Sequence, residues 1–265
     1  KLVDNIDIMT CVISVEKFAQ GGYGNIRIVA GNQAYRDSIE VESDDHPKML
    51  TDKFIPNSEY ERYFPKDLNF EDYCYRCAIL KQPMHTYVHP ERFDVWMDIF
   101  MLPLESDREN TGYCTYSMVM TKEANTRMMS NLSQETAADV LNTCIKLRGA
   151  EDFKATVNEV MGDIRRICDA RHVCLLLMDY SERKCSMLAQ AYADTARKVG
   201  MKHWEDDEHY QIVLSWGKMI GGSNCLIVKN EADMQLIKDN NPTWYASLCR
   251  AKVDSIVLFP LKIGR

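Results

Sequence analysis

The sequence predicts an α+β protein of two domains, each a mainly antiparallel sheet with flanking helices, joined by a helix. Three observations predict it. Several segments alternate apolar and polar residues with the period of two that suits a half-buried strand, and others repeat apolar residues at the three- and four-residue intervals of a helix. Between Glu123 and Arg148 the strand signal stops, and neither Pro nor Gly interrupts the chain. At 265 residues the chain is long for one core and comfortable for two.

Composition excludes several classes of function. With 46% hydrophobic and 27% charged residues the protein reads as globular, and a net charge of −7 offers no basic stripe for nucleic acid. The longest apolar runs, such as Val173–Met178, fall far short of the roughly 18 residues a membrane span needs. No signal-peptide pattern opens the chain, and Lys1 in place of Met predicts that the true start lies upstream. The ten cysteines are scattered through apolar segments (Cys114, Cys168, Cys174, Cys225), where a free thiol packs as a small hydrophobe; this predicts a reducing cytoplasm rather than a disulfide framework.

The elements follow in order. Cys11–Phe18 is a strand, and a glycine-rich link (Gly21, Gly22, Gly24) leads to a second in which Ile26, Ile28 and Ala30 alternate with Arg27, Val29 and Gly31. A phosphate-cradling loop needs a helix after it; here a strand follows. At Asn32 the period changes, and Ala34, Tyr35, Ser38 and Ile39 continue as a helix that the Asn32 side chain can cap. An irregular stretch with Pro47, Pro56 and Pro65 precedes a helix over Leu68–Gln82, stopped before Pro83.

Three strands come next, over 84–89, 93–104 and 111–121. In the middle one Phe93, Val95, Met97, Ile99 and Met101 share a core face. Asp94, Trp96, Asp98, Phe100 and Leu102 share the other, which is partly apolar and calls for a helix or a second subunit against it. On the helix after Glu123, Ala137, Val140, Cys144 and Leu147 have 3-4-3 spacing, which suits either packing on its own domain or a dimer seam.

Beyond Gly149, Phe153, Val157, Val160, Ile164 and Ile167 form one helical stripe. His172–Tyr192 reads as a hairpin whose first strand is apolar on both faces, hence covered on both. A helical stretch near Asp206–Trp216, then "NCLIV", the segment Glu231–Asp239, "PTWYASLCRA" and a strand over Ser255–Ile263 complete the pattern. That last strand is expected to lack its hairpin partner, which would follow Arg265.

Residues 1–122 resemble a PAS domain: a strand pair, the Asn-x-Ala helix start at Asn32 and Ala34, a further helix, then three antiparallel strands. In that family the strand-to-helix switch turns the chain over the sheet to roof a small cavity. Residues 150–265 resemble a GAF domain through the opening helix, the apolar hairpin, "SNCLIV" and "FPLKIG". Residues 123–149 would be the connecting helix. The tandem resembles the sensor half of bacterial signalling proteins that carry a C-terminal GGDEF (diguanylate cyclase) domain. It implies an input module that binds a small ligand or dimerises, through the connecting helix and the PAS sheet, to control such an output domain.

No catalytic site is expected within these residues: no GGDEF, H-E-x-x-H, G-x-S-x-G or P-loop pattern occurs. The resemblance implies no haem, flavin or bilin, because the corresponding His, Cys and Asp-Ile-Pro signatures are missing. No cofactor is predicted; an unidentified small molecule is the expected occupant. Candidate residues for a PAS cavity are Tyr73, Met97, Ile99, Met101, Met118 and Met120, with plain core packing as the alternative. For a GAF cavity they are Trp204, His209, Tyr210, Trp216 and Asn224, with surface anchoring as the alternative.

Two further readings stand beside the sensor. One is a ligand-free dimerisation scaffold. The other is a zinc-dependent regulator built on Cys74, Cys77, His85 and His89, the residue types of a Cys₂His₂ site. Against zinc, two histidines four apart on a strand sit about 13 Å from each other.

Overall fold

The computed structural model describes residues 3–43, 46, 48–90, 93–125, 134–193, 207–220 and 225–261. Packing divides the chain into two compact units, one of residues 1–129, 217–237 and 253–265, the other of residues 130–216 and 238–252.

In the first unit β1 (Met9–Lys17) and β2 (Tyr23–Gly31) form an antiparallel hairpin whose turn places Gly21 and Gly22 at φ +94° and +82°. Only glycine takes up such angles without steric cost. The chain then runs through α1 (Gln33–Glu40), the two-residue β3 (Ser58–Glu59), α2 (Leu68–Ala78), β4 (Met84–Val88), β5 (Trp96–Leu104) and β6 (Thr111–Thr121). Six strands make one antiparallel sheet in the order β3-β2-β1-β6-β5-β4. The first strand thus lies beside the last, and the two helices fall between them in sequence.

The switch from β2 to α1 turns on Asn32. Its Oδ1 accepts from the backbone N–H of Tyr35 (2.9 Å), capping α1, and from that of Thr10 in β1 (3.1 Å). Its Nδ2 donates to the carbonyls of Ile6 (2.9 Å) and Ile8 (2.7 Å). One buried side chain therefore satisfies four backbone groups that would otherwise be desolvated without partners.

The core face of the sheet carries Ile13, Val15, Ile28, Ile99, Met101 and Cys114, packed against Tyr35 of α1 and Cys74, Cys77 and Ala78 of α2. Each large apolar side chain so buried contributes about 1.5–3 kcal/mol relative to exposure. The end of α2 approaches β6 closely: a Cβ on Gly112 would stand 2.2 Å from the Ala78 carbonyl oxygen.

The middle strand begins three residues later than its alternation predicts. Asp94 takes a left-handed conformation (φ 49°), so Phe93 and Asp94 form a turn and the pairing starts at Trp96. Phe93 and Val95 still pack with the core, which is why the apolar alternation outruns the strand. On the opposite face Phe100, Leu102 and Val119 are exposed, whereas Asp98 is buried against His85.

The same unit includes the hairpin-like pair β9 (Leu226–Val228) and β10 (Ile256–Leu258), antiparallel to each other. The last strand therefore pairs over Ile256–Leu258 with the short strand after Cys225. The Lys229 ammonium, just after β9, pairs with the Asp72 carboxylate on α2.

The second unit contains α3 (Gln134–Arg148), α4 (Phe153–Ile167), the antiparallel pair β7 (His172–Asp179) and β8 (Lys184–Tyr192), and α7 (Pro242–Ala251), which Asn241 caps with Pro242 at the first helical position. Helices α5 (Asp207–Met219) and α6 (Glu231–Asn240) lie between these in sequence. Val157, Val160 and Met161 of α4 bury against Ala189 of β8. Phe153 and Ile167, at the ends of the predicted stripe, are exposed.

β7 is not covered on both faces as its apolarity predicts. In a two-stranded ribbon α4 packs on the face of Val173 and Leu175, where Leu177 further along is exposed, and Cys174, Leu176 and Met178 of the other face are half-buried. The α3 residues Val140, Leu141, Cys144, Ile145 and Leu147 are exposed as well, while Lys146 binds Asp163 of α4, which also holds Arg166. No described helix is long and apolar enough to cross a membrane.

Candidate functional site

The first unit encloses a cavity of about 70 Å³ between the core face of the sheet and the two helices that cross it. Its floor is Cys11 and Ile13 of β1, Ile28 of β2, Ile99 of β5 and Met118 of β6. Its roof includes Tyr35 of α1 and Asn69, Phe70 and Tyr73 of α2, with Phe64 and Asp67 from the segment before α2.

The roof is held by local chemistry. Asp67 Oδ1 accepts from the backbone N–H groups of Asn69 (3.0 Å) and Phe70 (3.1 Å), starting α2 directly over the cavity. The Tyr60 hydroxyl accepts from Asp67 N (3.0 Å) and donates to Glu71 Oε1 (2.7 Å), tying the approach to the first turn of the helix. Phe64 meets Phe70 edge-to-face at 5.0 Å, and Phe70 meets Tyr116 of β6 edge-to-face at 5.7 Å. These ring contacts are the favoured aromatic geometry and make one rigid wall.

Three titratable groups at the walls, Cys11, Tyr35 and Tyr116, are held neutral. Burial pushes the Cys11 thiol up to about 12, against the opposing effect of its hydrogen bond with Tyr35. Burial likewise raises Tyr35, assisted by Cys11, and raises Tyr116. None of the three ionises near pH 7, so none supplies a nucleophile or a general base there. Asn69, itself 5% exposed, also lines the cavity, its backbone N–H taken up by Asp67 Oδ1. The cavity thus offers apolar contact, aromatic faces, the neutral Cys11, Tyr35 and Tyr116 groups, and Asp67.

Of the PAS-cavity candidates, Tyr73, Met97, Ile99 and Met118 line this space. Met101 is fully buried in the core away from it, and Met120 packs at the core's edge. Sequence reasoning did not single out Tyr35, Phe64, Asn69, Phe70, Phe93 or Tyr116 as cavity residues. Phe64 lies in an irregular segment without a periodic signal, whereas Phe93 belongs to the alternation of the middle strand and read as plain core. Tyr35 and Phe70 do sit on helical stripes, and the Asp-x-x-Phe start of α2 was the available clue to the roof.

Of the GAF-cavity candidates, Trp204 and Asn224 lie outside the described residues. His209, Tyr210 and Trp216 all stand on α5. Tyr210 is 4% exposed with the Arg183 guanidinium 5.8 Å from its ring centre, and Trp216 packs on Trp244 at 5.2 Å.

The four zinc-type residues are not brought together. Cys74 and Cys77 are buried on the helix side of the sheet, packed with Cys114 in its core. His85 stands on the opposite face, 2.6 Å from Asp98 and stacked on Phe100, and His89 lies against Trp96. Among the described residues no group of three or more His, Cys, Asp or Glu is placed to hold a metal ion.

No protein-family model matches the chain, and no curated protein matches its sequence. Among solved structures it is similar to the chromophore-binding domain of an unusual bacteriophytochrome, RpBphP3, from R. palustris (9% identity, TM-score 0.33, covering 87% of this chain and 66% of that one). It is also similar to the longer RpBphP3 structure from the same bacterium (10%, 0.27, 75% and 36%) and to the Rhodobacter sphaeroides LOV protein (10%, 0.26, 63% and 91%). The chain thus spans less than two thirds of the first two. TM-scores this low carry no weight, and the functional reading rests on the geometry.

Proposed function

We propose that the chain is the sensory input region of a signalling protein, in which a small ligand held in the first unit controls an output domain outside these residues. The observation that carries the proposal is the cavity beneath α1 and α2, walled by apolar side chains, aromatic rings and the neutral Cys11, Tyr35 and Tyr116 groups. The order of elements around it, strand pair, Asn-capped helix, second helix and three antiparallel strands, is the one that led to the PAS resemblance.

The linear division into a PAS-like module (1–122), a connecting helix (123–149) and a GAF-like module (150–265) belongs to the same proposal, as do a GGDEF-type output domain and a cytoplasmic setting suited to ten free thiols. Signalling requires that the ligand prefer one arrangement of the protein: driving a two-state equilibrium from 1:99 to 99:1 takes a preference of about 10⁴-fold.

A second reading, a dimerisation scaffold, draws on the exposed Val140, Leu141 and Ile145 of α3 and the exposed Phe100, Leu102 and Val119 of the sheet. Native mass spectrometry of the purified chain separates the two. The sensor predicts a small-molecule adduct that a Met97→Trp substitution removes. A dimer without an adduct, unchanged by that substitution, overturns the sensor in favour of the scaffold, and a zinc mass overturns both.

A further inference from the structure

We infer that the first unit's cavity takes an uncharged, apolar molecule of about three or four non-hydrogen atoms, of the kind of a short thioether or hydrocarbon. This deepens the reading of that cavity as a ligand site and rests on it.

Size is the first constraint. An apolar protein cavity of about 150 Å³ stays dry and accepts benzene. At about 70 Å³ the space here is less than half of that, too small for a six-membered ring and far too small for a flavin or a tetrapyrrole. A short chain or a branched group of about three or four heavy atoms fills it.

The chemistry of the walls is the second. Met49, Met97 and Met118 line the space together with the Cys11 thiol and the branched side chains of Ile13, Ile28 and Ile99. Methionine is unbranched and polarisable, so its side chains adapt around a small irregular guest and hold it by dispersion. The aromatic part of the wall is stiffer, because Phe64 meets Phe70 and Phe70 meets Tyr116 edge-to-face. Such walls reward contact area, which an apolar guest supplies in full and without losing hydrogen bonds to water.

Charge is the third. Asp67 is the carboxylate of the lining, and among the described residues the lining holds no cationic side chain. Asp67 Oδ1 already accepts from the backbone N–H groups of Asn69 and Phe70 at the start of α2. An anionic guest would be stripped of water beside a like charge. A cationic guest would lose its water for a carboxylate whose oxygen is already engaged, so a neutral one is favoured.

Affinity follows from size as well. Even at the ceiling of binding efficiency for tiny ligands, so few atoms give a Kd on the order of 1 mM.

The test is methyl NMR of the full chain carrying ¹³C-methyl methionine. It is titrated separately with dimethyl sulfide, dimethylammonium, acetone, acetate and benzene, and the series is repeated on Met97→Trp. We expect dimethyl sulfide to shift the Met49, Met97 and Met118 methyls saturably, with a Kd on the order of 1 mM, and to leave Met101, buried away from the cavity, unmoved. Dimethylammonium, which matches it in shape, and acetate should each bind at least about 10-fold more weakly, acetone at least about 3-fold more weakly, and benzene not at all. Met97→Trp should abolish the shifts of Met49 and Met118.

Any of the other four probes binding as tightly as dimethyl sulfide, through the same methyls, overturns the ligand class and keeps the cavity as a ligand site. Dimethyl sulfide shifts that survive Met97→Trp, or that move Met101 and not the three lining methyls, overturn the cavity as the place of binding. No saturable shift with any probe overturns the inference, whereas the ligand-site reading itself falls on the native mass spectrum. If Met97→Trp does not fold, Val88→Phe, at a half-buried position of the lining, takes its place with the same expected outcome.

Discussion

The imidazole Nε2 of His85 lies 2.6 Å from Asp98 Oδ1, and its ring is stacked on Phe100 with 4.1 Å between centres. Asp98 is buried although it belongs to a face that elsewhere exposes Phe100, Leu102 and Val119. His85→Ala strips a buried carboxylate of this partner and should destabilise the first unit by about 1–3 kcal/mol. Adding Asp98→Asn to it should cost less than the sum of the two single changes, because the second change removes the uncompensated charge. A double-mutant cycle by urea denaturation reads this directly; strict additivity would show that the contact contributes nothing.

Asn32→Ala should cost about 2–4 kcal/mol, since it removes a helix cap and leaves the Ile6 and Ile8 carbonyls without their donor. Asn32→Asp keeps the acceptor for Thr10 and Tyr35 and loses only the donors, so its denaturation midpoint should fall between those of the wild type and Asn32→Ala.

Gly112→Ala places a methyl 2.2 Å from the Ala78 carbonyl oxygen, a backbone atom that cannot rotate away. We expect a loss of about 1–3 kcal/mol or failure to fold, read by thermal melting. Gly162→Ala, on the surface of α4 where a Cβ meets nothing, should be neutral or stabilising and serves as the control.

Burial holds the His172 imidazole below its ordinary value of 6.5, outweighing a hydrogen bond with Gln190 that acts the other way. The sign follows from linkage. Below pH 6.5 the unfolded chain takes up the proton before the folded one does, so this contribution to stability is intact above pH 6.5 and is lost as the pH falls. His172→Phe, which preserves stacking on Tyr192, should flatten that part of the curve. Urea midpoints of the two proteins between about pH 7.5 and about pH 5 test it; parallel curves would rule the effect out.

Much of the fold is legible because local signals agree. The alternation at Met97, Ile99 and Met101 and the cap at Asn32 each have one physical meaning, and the structure realises them in β5 and α1; the helix expected over Leu68–Gln82 instead ends at Ala78, ahead of Lys81 in a left-handed conformation (φ 58°). The cavity is legible only in part. Met97, Ile99 and Met118 follow from the strand period and Tyr73 from the helix, but period alone cannot separate a wall from the solid core behind it, so Met101 looked equivalent. Phe64 and Phe93 come from turns whose position depends on left-handed or proline-fixed backbone, and Asn69 reads as an ordinary first-turn residue until α2 is seen to start over the cavity. The packing of Leu226–Val228 with residues 1–129 leaves no trace in a three-residue apolar run.

That non-contiguity bears on how the protein is made. Strands β9 and β10 and the Lys229 partner of Asp72 leave the ribosome only after the whole stretch 130–216 has been synthesised, a delay of several seconds at about 5–20 residues per second. The six-stranded sheet is complete by Thr121, but it must wait through that interval without β9, β10 and the Lys229 partner of Asp72. A chain truncated at residue 129 would keep all six strands and lack those later pieces of the unit permanently.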